Sequence, residues 1–419
     1  MTHPIADEPE VIPLMPNRTS PSARTTPLKV VIAGGGVAAL ETALALRDLA
    51  SDLVALTLVS PGSDFTYWPT GVLSPFQPTT ARQLALAKVA AEVGAALEQG
   101  KLESVDCDRR VVSIGQRELS YDALVIATGG RISDALPDAI TVDRSRMQES
   151  LRTLIEEVDS GSISTLAFAA PRPTWPLPAY ELALLVAERA RDRDVDLEIT
   201  IITTEPQPLA IFGDSVSAAA LEFLASAGID VIAGTQAQSS PGGLRLEPGS
   251  REVRFDRVVA LPRISGPALP GLPADADGFL PITPRCEVVS AGPVYAAGDA
   301  TQFPVKFGSI AAQQADVAAA AIAALAGADV EPVEVSGVVH GILLAGGTDR
   351  RLYFTARIVD GRALDSRTSD GPTWPVDAKL AARYLGPYLD RLWAEGPRWV
   401  AGQLAWEATL TRLESESSP

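Results

Sequence analysis

Cysteine and histidine are almost missing from this sequence: its 419 residues hold two of each, Cys107 and Cys286, His3 and His340. Two cysteines so far apart make neither a disulfide framework nor a zinc site, and they are not spaced as a redox pair. No metal site is expected; Cys107 reads as a bystander, His340 as structural, and Cys286 as exposed or structural. Basic residues are also scarce, 35 Lys and Arg against 52 Asp and Glu, for a net charge of −17. Holding a phosphate backbone needs the opposite balance, so a nucleic-acid partner is excluded. Long apolar runs are absent as well. The longest obvious one, Val317 to Ala326, is Ala-rich and falls short of the roughly 18 residues of a membrane span. The first 27 residues carry Pro, Thr, Ser and acids with no basic stretch followed by an apolar one. They read as a flexible tail, not a secretion signal, and the expected location is the cytoplasm.

What is present is α/β alternation, over a length that suggests two to three domains. Lys29-Val-Val-Ile-Ala33 is a short β-branched run, Gly34-x-Gly36-x-x-Ala39 follows at once, and Leu40 to Ala50 continues at helical spacing. Glycines there let the backbone approach a pyrophosphate, and the helix N-terminus offers N–H donors and partial positive charge. The third small residue, Ala39, allows close helix–strand packing. The next strand ends in Ser60, where an acidic residue would ordinarily hold ribose hydroxyls; Ser60 can still hydrogen-bond. Tyr67 and Trp68 follow in a loop and could line a pocket or simply pack. A helix is expected over 79–99, capped by Thr79 or Thr80, then strands near 102–106, 111–114 and 124–127. The last of these runs into Thr128-Gly129.

A second unit begins near Ser164, with a strand over 165–170, a helix over 179–190 and a strand over 198–204. Its connecting loop, Ala170-Pro-Arg-Pro-Thr-Trp-Pro-Leu-Pro178, has four prolines and no glycine. Proline has no N–H to offer and a fixed φ, so this loop cannot cradle a pyrophosphate in the usual way. A Pro/Gly-rich return over 262–284 leads to Val294-Tyr-Ala-Ala-Gly298-Asp299, then Lys306 and an Ala-rich helix to Ala326. Two strands, near 337–345 and 352–358, and a helical stretch after Pro375 close the chain. In that stretch Leu380, Tyr384, Leu385, Tyr388, Leu389, Leu392 and Trp393 share a face that Gly386-Pro387 should break. This face reads as core or dimer packing; Trp399 and Trp406 with Lys379 and Arg398 would suit a membrane-surface helix instead.

A glycine turn, an Ala-Thr-Gly strand end and a late Tyr-Ala-Ala-Gly-Asp strand, in that order, resemble the two-dinucleotide-fold FAD-dependent pyridine nucleotide-disulfide oxidoreductases. Pro178 to Leu184, Ile201 to Pro208 and Ile211-Phe-Gly213 are similar to stretches of sulfide:quinone oxidoreductases and flavocytochrome c sulfide dehydrogenases. More loosely, residues 28–400 resemble type II NADH dehydrogenases. The resemblance implies FAD, with Gly34, Gly36 and Ala39 at the pyrophosphate, Ser60, Thr128 and Gly129 beside the cofactor, Gly298 and Asp299 at the ribityl chain, and Lys306 tuning the ring. It implies that Glu181 relays a proton, the alternative being a first-turn Glu favoured by the helix dipole. It also implies that Gln313 and Gln314 contact quinone, against which stands their reading as surface residues. The sulfide enzymes use a cysteine pair at the flavin, and this chain has none there; Trp175 stands near one expected position.

The expected architecture is α/β: two Rossmann-like three-layer β/β/α dinucleotide-binding units plus a C-terminal α+β cap. The expected boundaries are 1–27 tail, 28–150 and 277–330 the two parts of an FAD-binding domain, 151–276 a degenerate NAD(P)-type domain, and 331–419 the cap. The expected function is an FAD-dependent oxidoreductase passing two electrons from a small-molecule donor to an acceptor, with a quinone as the acceptor the resemblance suggests. A homodimer and peripheral contact with the inner face of a membrane stay open. The alternatives are an NAD(P)H dehydrogenase with an atypical nicotinamide site, and a non-catalytic flavin-binding sensor or scaffold.

Overall fold

The computed structural model describes residues 26–76, 82–143, 147–171, 175–346, 350–374 and 379–394. The tail up to residue 25, the caps Thr79 and Thr80, Pro173 of the proline loop, and Arg398, Trp399 and Trp406 lie outside them. The first domain is built on a five-stranded parallel sheet in the order Val294–Ala296, Ala123–Ile126, Leu28–Ala33, Val54–Ser60, Ala96–Gln99. A parallel sheet is covered on both faces, which is why its strands are continuous apolar runs. One face carries a three-stranded antiparallel layer, Leu102–Asp106, Val111–Ile114 and Arg117–Ser120. The other carries α1 (Val37–Ala50) and α2 (Leu86–Val93). The helix expected over 79–99 is therefore only its middle. Gln83–Ala85 is extended, Gly94 ends α2 in the left-handed conformation at φ +69°, and Ala96–Gln99 adds a sheet strand.

The chain leaves this domain through Arg131–Ser133 and returns through Arg263–Ser265, and the two crossings pair as an antiparallel ribbon. Between them lies a second parallel sheet, Ile140–Thr141, Arg257–Ala260, Thr165–Ala170, Glu198–Thr203, Ile229–Ile232. The strand at 140–141 puts the start of the second unit before the boundary expected at residue 151. Helices α3 (Met147–Asp159), α4 (Leu177–Asp192) and α5 (Asp214–Ser226) cover one face, and a small antiparallel sheet over 236–253 covers the other. Both units are thus three-layered and Rossmann-like.

After the return comes α6 (Gly308–Ala326), the central helix of the first domain. It is apolar on nearly every side because it is buried, and its alanines lie against Ala38, Ala39 and Ala43 of α1 in one core. Small residues on both helices let the two backbones approach closely. Among the described residues, α6 is the one helix long and apolar enough to cross a membrane, and 72% of its most apolar stretch is buried inside the protein.

The cap is a three-stranded antiparallel sheet, Val338–Leu344, Arg351–Val359 and Arg362–Ser369, followed by a segment from Lys379 into α7 (Leu385–Ala394). Gly386 and Pro387 do not break this helix. They sit in its first turn, where a missing proline N–H costs nothing. Leu380, Leu385, Tyr388 and Leu389 are buried in the first domain's core, each of the leucines contributing about 1.5–3 kcal/mol. Core packing is the reading the described part of this face supports.

Candidate functional site

The elements expected to hold a cofactor meet at one place, the C-terminal edge of the first sheet. Gly34 follows the first strand at φ +145°, and a β-carbon there would stand 2.1 Å from the carbonyl oxygen of Ala127. Only glycine lets the first turn lie against the Ala127-Thr128-Gly129 loop. A β-carbon on Gly35 would be 2.7 Å from Ser60 Oγ, so the buried Ser60 also faces this turn. Gly36, at the N-terminus of α1, is exposed, with nothing within 4 Å of where its β-carbon would be. Gly129, at φ +73°, is equally open and Thr128 is exposed. The turn therefore offers an unobstructed cradle beside the N–H groups of α1, the surroundings a pyrophosphate requires. Ala39 is a correction: it is fully buried inside α1, so its smallness serves packing and no ligand reaches it.

Gly298 and Asp299 complete the edge. Gly298, at φ +79°, is wedged between the two helix starts; its β-carbon would stand 3.2 Å from Ala311 of α6 and 3.5 Å from Ala38 of α1. Its N–H donates to Gln314 Oε1 at 2.7 Å, and Thr301 Oγ1 lies 3.5 Å from the same oxygen. Gln314 is fully buried. Gln313 is half-buried, receiving the Ser336 hydroxyl at 2.8 Å and donating to the Val338 carbonyl. Neither is a surface glutamine. Gln314 instead fixes the turn that carries Asp299, a role no sequence motif announced.

Lys306 donates its ammonium to the Thr301 carbonyl and lies 3.7 Å from the ring centroid of Phe279. Burial pushes its pKa down to about 8, opposed by the charges of Asp299 and Asp275. Phe307 and the head of α6 follow directly. Trp175 stacks on Phe307 with centroids 4.9 Å apart and meets Phe212 edge-on at 5.4 Å. An aromatic wall thus stands at the start of α6. Trp68 packs on the same side, whereas Tyr67 is buried in the first domain's core against Trp393, 5.1 Å away.

Glu181 is displaced from its expected setting. It sits past the first turn of α4, and burial raises its pKa against the opposing charge of Lys379. Its Oε1 receives the Lys379 ammonium at 2.5 Å and the Leu344 N–H at 2.9 Å. Their side chains are only 2% and 7% exposed. The pair joins α4, the cap sheet and the segment after residue 378 in a single contact. That segment crosses the head of α6: Leu380 fills the space beside Gly308, and the Ala381 N–H donates to Ser309 Oγ at 3.1 Å.

The second unit has its own answer at the place matching Ser60. Glu205 follows the strand Glu198–Thr203, where an acid would hold a ribose. Its Oε2 instead accepts the hydroxyl of the fully buried Tyr180 at 2.7 Å, with Thr203 Oγ1 at 3.3 Å. Both cysteines lie away from the sheet edge. Cys107 donates to the Gly271 carbonyl at 3.7 Å, and Cys286 is buried at φ +62°, its thiol pushed up by burial, so of its two expected readings, exposed or structural, the structural one fits. No cluster of three metal-ligating side chains occurs among the described residues. His340 faces Thr373 and Trp374.

The sequence profile of the pyridine nucleotide-disulphide oxidoreductase family matches residues 14–158. A sulfide-quinone reductase of Aquifex aeolicus (strain VF5) is 26% identical over 186 residues, 42% of this chain and 43% of that protein, so the alignment spans under half of the relative. Among solved structures, the sulfide:quinone oxidoreductase of the same hyperthermophile superposes over 88% of this chain and 90% of its own at a TM-score of 0.74 and 20% identity. An NAD-dependent persulfide reductase from A. fulgidus matches 78% of this chain and 64% of its own at 0.58 and 19%. A ferredoxin reductase of Rhodopseudomonas palustris gives 0.60 at 19% identity over 78% and 82%.

Proposed function

We propose that this chain, whose residues 14–158 match the pyridine nucleotide-disulphide oxidoreductase family, is an FAD-dependent oxidoreductase that passes two electrons directly between a small-molecule donor and a quinone, with no cysteine intermediate. The observation that carries this reading is the aromatic stack of Trp175 on Phe307 at the head of α6, since Trp175 stands near one of the positions where the resemblance implies a cysteine. Bound FAD supplies the two-electron exchange. Gly36 and the N–H groups of α1 would hold its pyrophosphate, Ser60, Thr128 and Gly129 would flank it, and Gly298 with Asp299 would hold its ribityl chain. Lys306 and the N–H groups at the head of α6 supply positive potential to the adjoining ring site. The apolar faces of Trp175 and Phe307 keep water from that site, which strengthens each charge around it.

The proton that accompanies reduction of a quinone needs a group able to hold it. Glu181 Oε1, buried and bound to the Lys379 ammonium, is that group in this proposal. The second unit supports a donor other than a nicotinamide: prolines occupy its first turn, and Tyr180 occupies its ribose-type acid. A quinone acceptor would place the protein at the inner face of a membrane as a peripheral protein.

The test is made on a cysteine-free variant, Cys107→Ala with Cys286→Ala, loaded with FAD and reduced anaerobically with dithionite. A short-chain quinone is expected to reoxidise it as fast as it reoxidises the parent protein. A variant that keeps its flavin but loses reoxidation would overturn the cysteine-free route.

A further inference from the structure

We propose that Asp316 of α6 and Glu41 of α1 form a carboxylic acid–carboxylate pair whose shared proton holds the segment 379–385 across the head of α6. Glu41 is fully buried, and both its oxygens are in use. Oε1 accepts the Tyr384 N–H at 2.9 Å and Oε2 the Leu385 N–H at 2.5 Å, so a side chain of the first domain caps α7 from outside. Asp316 lies in hydrogen-bond contact with Glu41. Its Oδ1 is shut off from solvent and finds no donor among the described residues. Two carboxylates in contact repel each other, so one of them holds a proton far more readily than it would in water. A proton on Asp316 resolves both problems: it removes one charge and turns an orphan acceptor into a donor toward Glu41.

The neighbouring groups agree. Burial, then the charge of Glu41, pushes Asp316 up to about 8, with Arg383 acting in the opposite direction. Glu41 is raised by burial and held down by the N–H groups it accepts. His340 faces Asp316 across a cavity of about 140 Å³ that Arg383 also lines, and Asp48 accepts the Tyr384 hydroxyl at 3.2 Å. The pair is thus the third anchor of the segment, after Lys379 on Glu181 and Ala381 on Ser309. Asp316 is a positioning residue, and its proton sets how firmly the segment is held.

The direction follows from linkage. The closed segment keeps the Asp316 proton up to about pH 8, whereas an opened one releases it near the ordinary carboxyl pKa of 3.8. Hold is therefore greatest in acid. The opening constant rises about tenfold per pH unit between these two values and levels off above the upper one.

Hydrogen exchange of peptides covering 379–394 in the FAD-loaded, full-length protein, corrected for intrinsic rates, tests this between pH 5.5 and 9. The wild type is expected to follow that rise and plateau. Asp316→Asn, whose amide donates to Glu41 without titrating, is expected to show a flat profile. Glu41→Gln removes the charge that adds to burial at Asp316 and is expected to move the plateau to lower pH, and it serves if the first variant does not fold. Infrared spectra of the wild type should show a protonated carboxyl at pH 6.5 that disappears above pH 9. Parallel profiles in wild type and variants, or no such carboxyl band, would overturn the proposal.

Discussion

Replacing Lys379 by Met tests how the cap is fastened to the site. The ammonium lies 2.5 Å from Glu181 Oε1, and the two side chains are 7% and 2% exposed. Removing it leaves a buried carboxylate with only the Leu344 N–H, a change that costs roughly 3–5 kcal/mol in comparable sites. At about 2–4 °C per kcal/mol for a cooperative unit of roughly 150–250 residues, the melting temperature should fall by roughly 6–20 °C. The loss depends on pH in a definite direction. Burial raises the Glu181 pKa and Lys379 opposes that rise, so Lys379→Met raises it further. A raised carboxyl stabilises the fold below its unfolded pKa and stops doing so as pH climbs through the folded value. The deficit should accordingly be largest at pH 8 and shrink toward pH 5. Glu181→Met combined with Lys379→Met removes both charges and should recover most of the stability. If Glu181 also holds the transferred proton, the double variant regains its melting temperature and not its quinone turnover. Calorimetry at pH 5, 6.5 and 8 beside anaerobic turnover reads both. A Lys379→Met protein as stable as the parent at pH 8 would refute the reasoning.

Other substitutions separate holding the cofactor from holding the fold. Gly34→Ala puts a methyl 2.1 Å from the Ala127 carbonyl at φ +145°, a strain of about 1–3 kcal/mol, and should lower both melting temperature and FAD retention. Gly36→Ala meets nothing within 4 Å, so it should leave apoprotein stability intact and weaken FAD binding alone, as an isothermal titration would show. Gln314→Leu strands the Gly298 N–H at a cost of about 1–3 kcal/mol and loosens the turn that bears Asp299; FAD should dissociate faster by fluorescence. Because Lys306 sits near 8, the rate of flavin reduction should fall as pH rises through that value, and Lys306→Met should flatten the profile.

The legible parts of this chain were those where function and local geometry share a few adjacent residues. The Gly34 turn could be read because a strand, two glycines and a helix follow one another, and the Gly298-Asp299 turn because a strand precedes it. The helix expected over 79–99 failed at Gly94, whose left-handed stop was written in the sequence. Gly386-Pro387 suggests a break, whereas the fold starts α7 just there through Glu41, far away in the chain. Glu181 with Lys379, and Gln314 with Gly298, were invisible for the same reason: each side chain is explained by a partner that only the fold brings near. Glu205 with Tyr180 is a further pair of that kind.

One anaerobic cuvette of FAD-reconstituted protein, titrated in turn with NADH, NADPH and sulfide, then reduced with dithionite and mixed with a quinone, separates the alternatives. Flavin absorption is expected to survive the first three additions and, once bleached by dithionite, to return on mixing with the quinone. Bleaching by NADH or NADPH would mean that the proline turn and the Tyr180–Glu205 contact do not close the second unit to nicotinamide. Bleaching by sulfide, or a protein that takes up no FAD, would contradict the account outright.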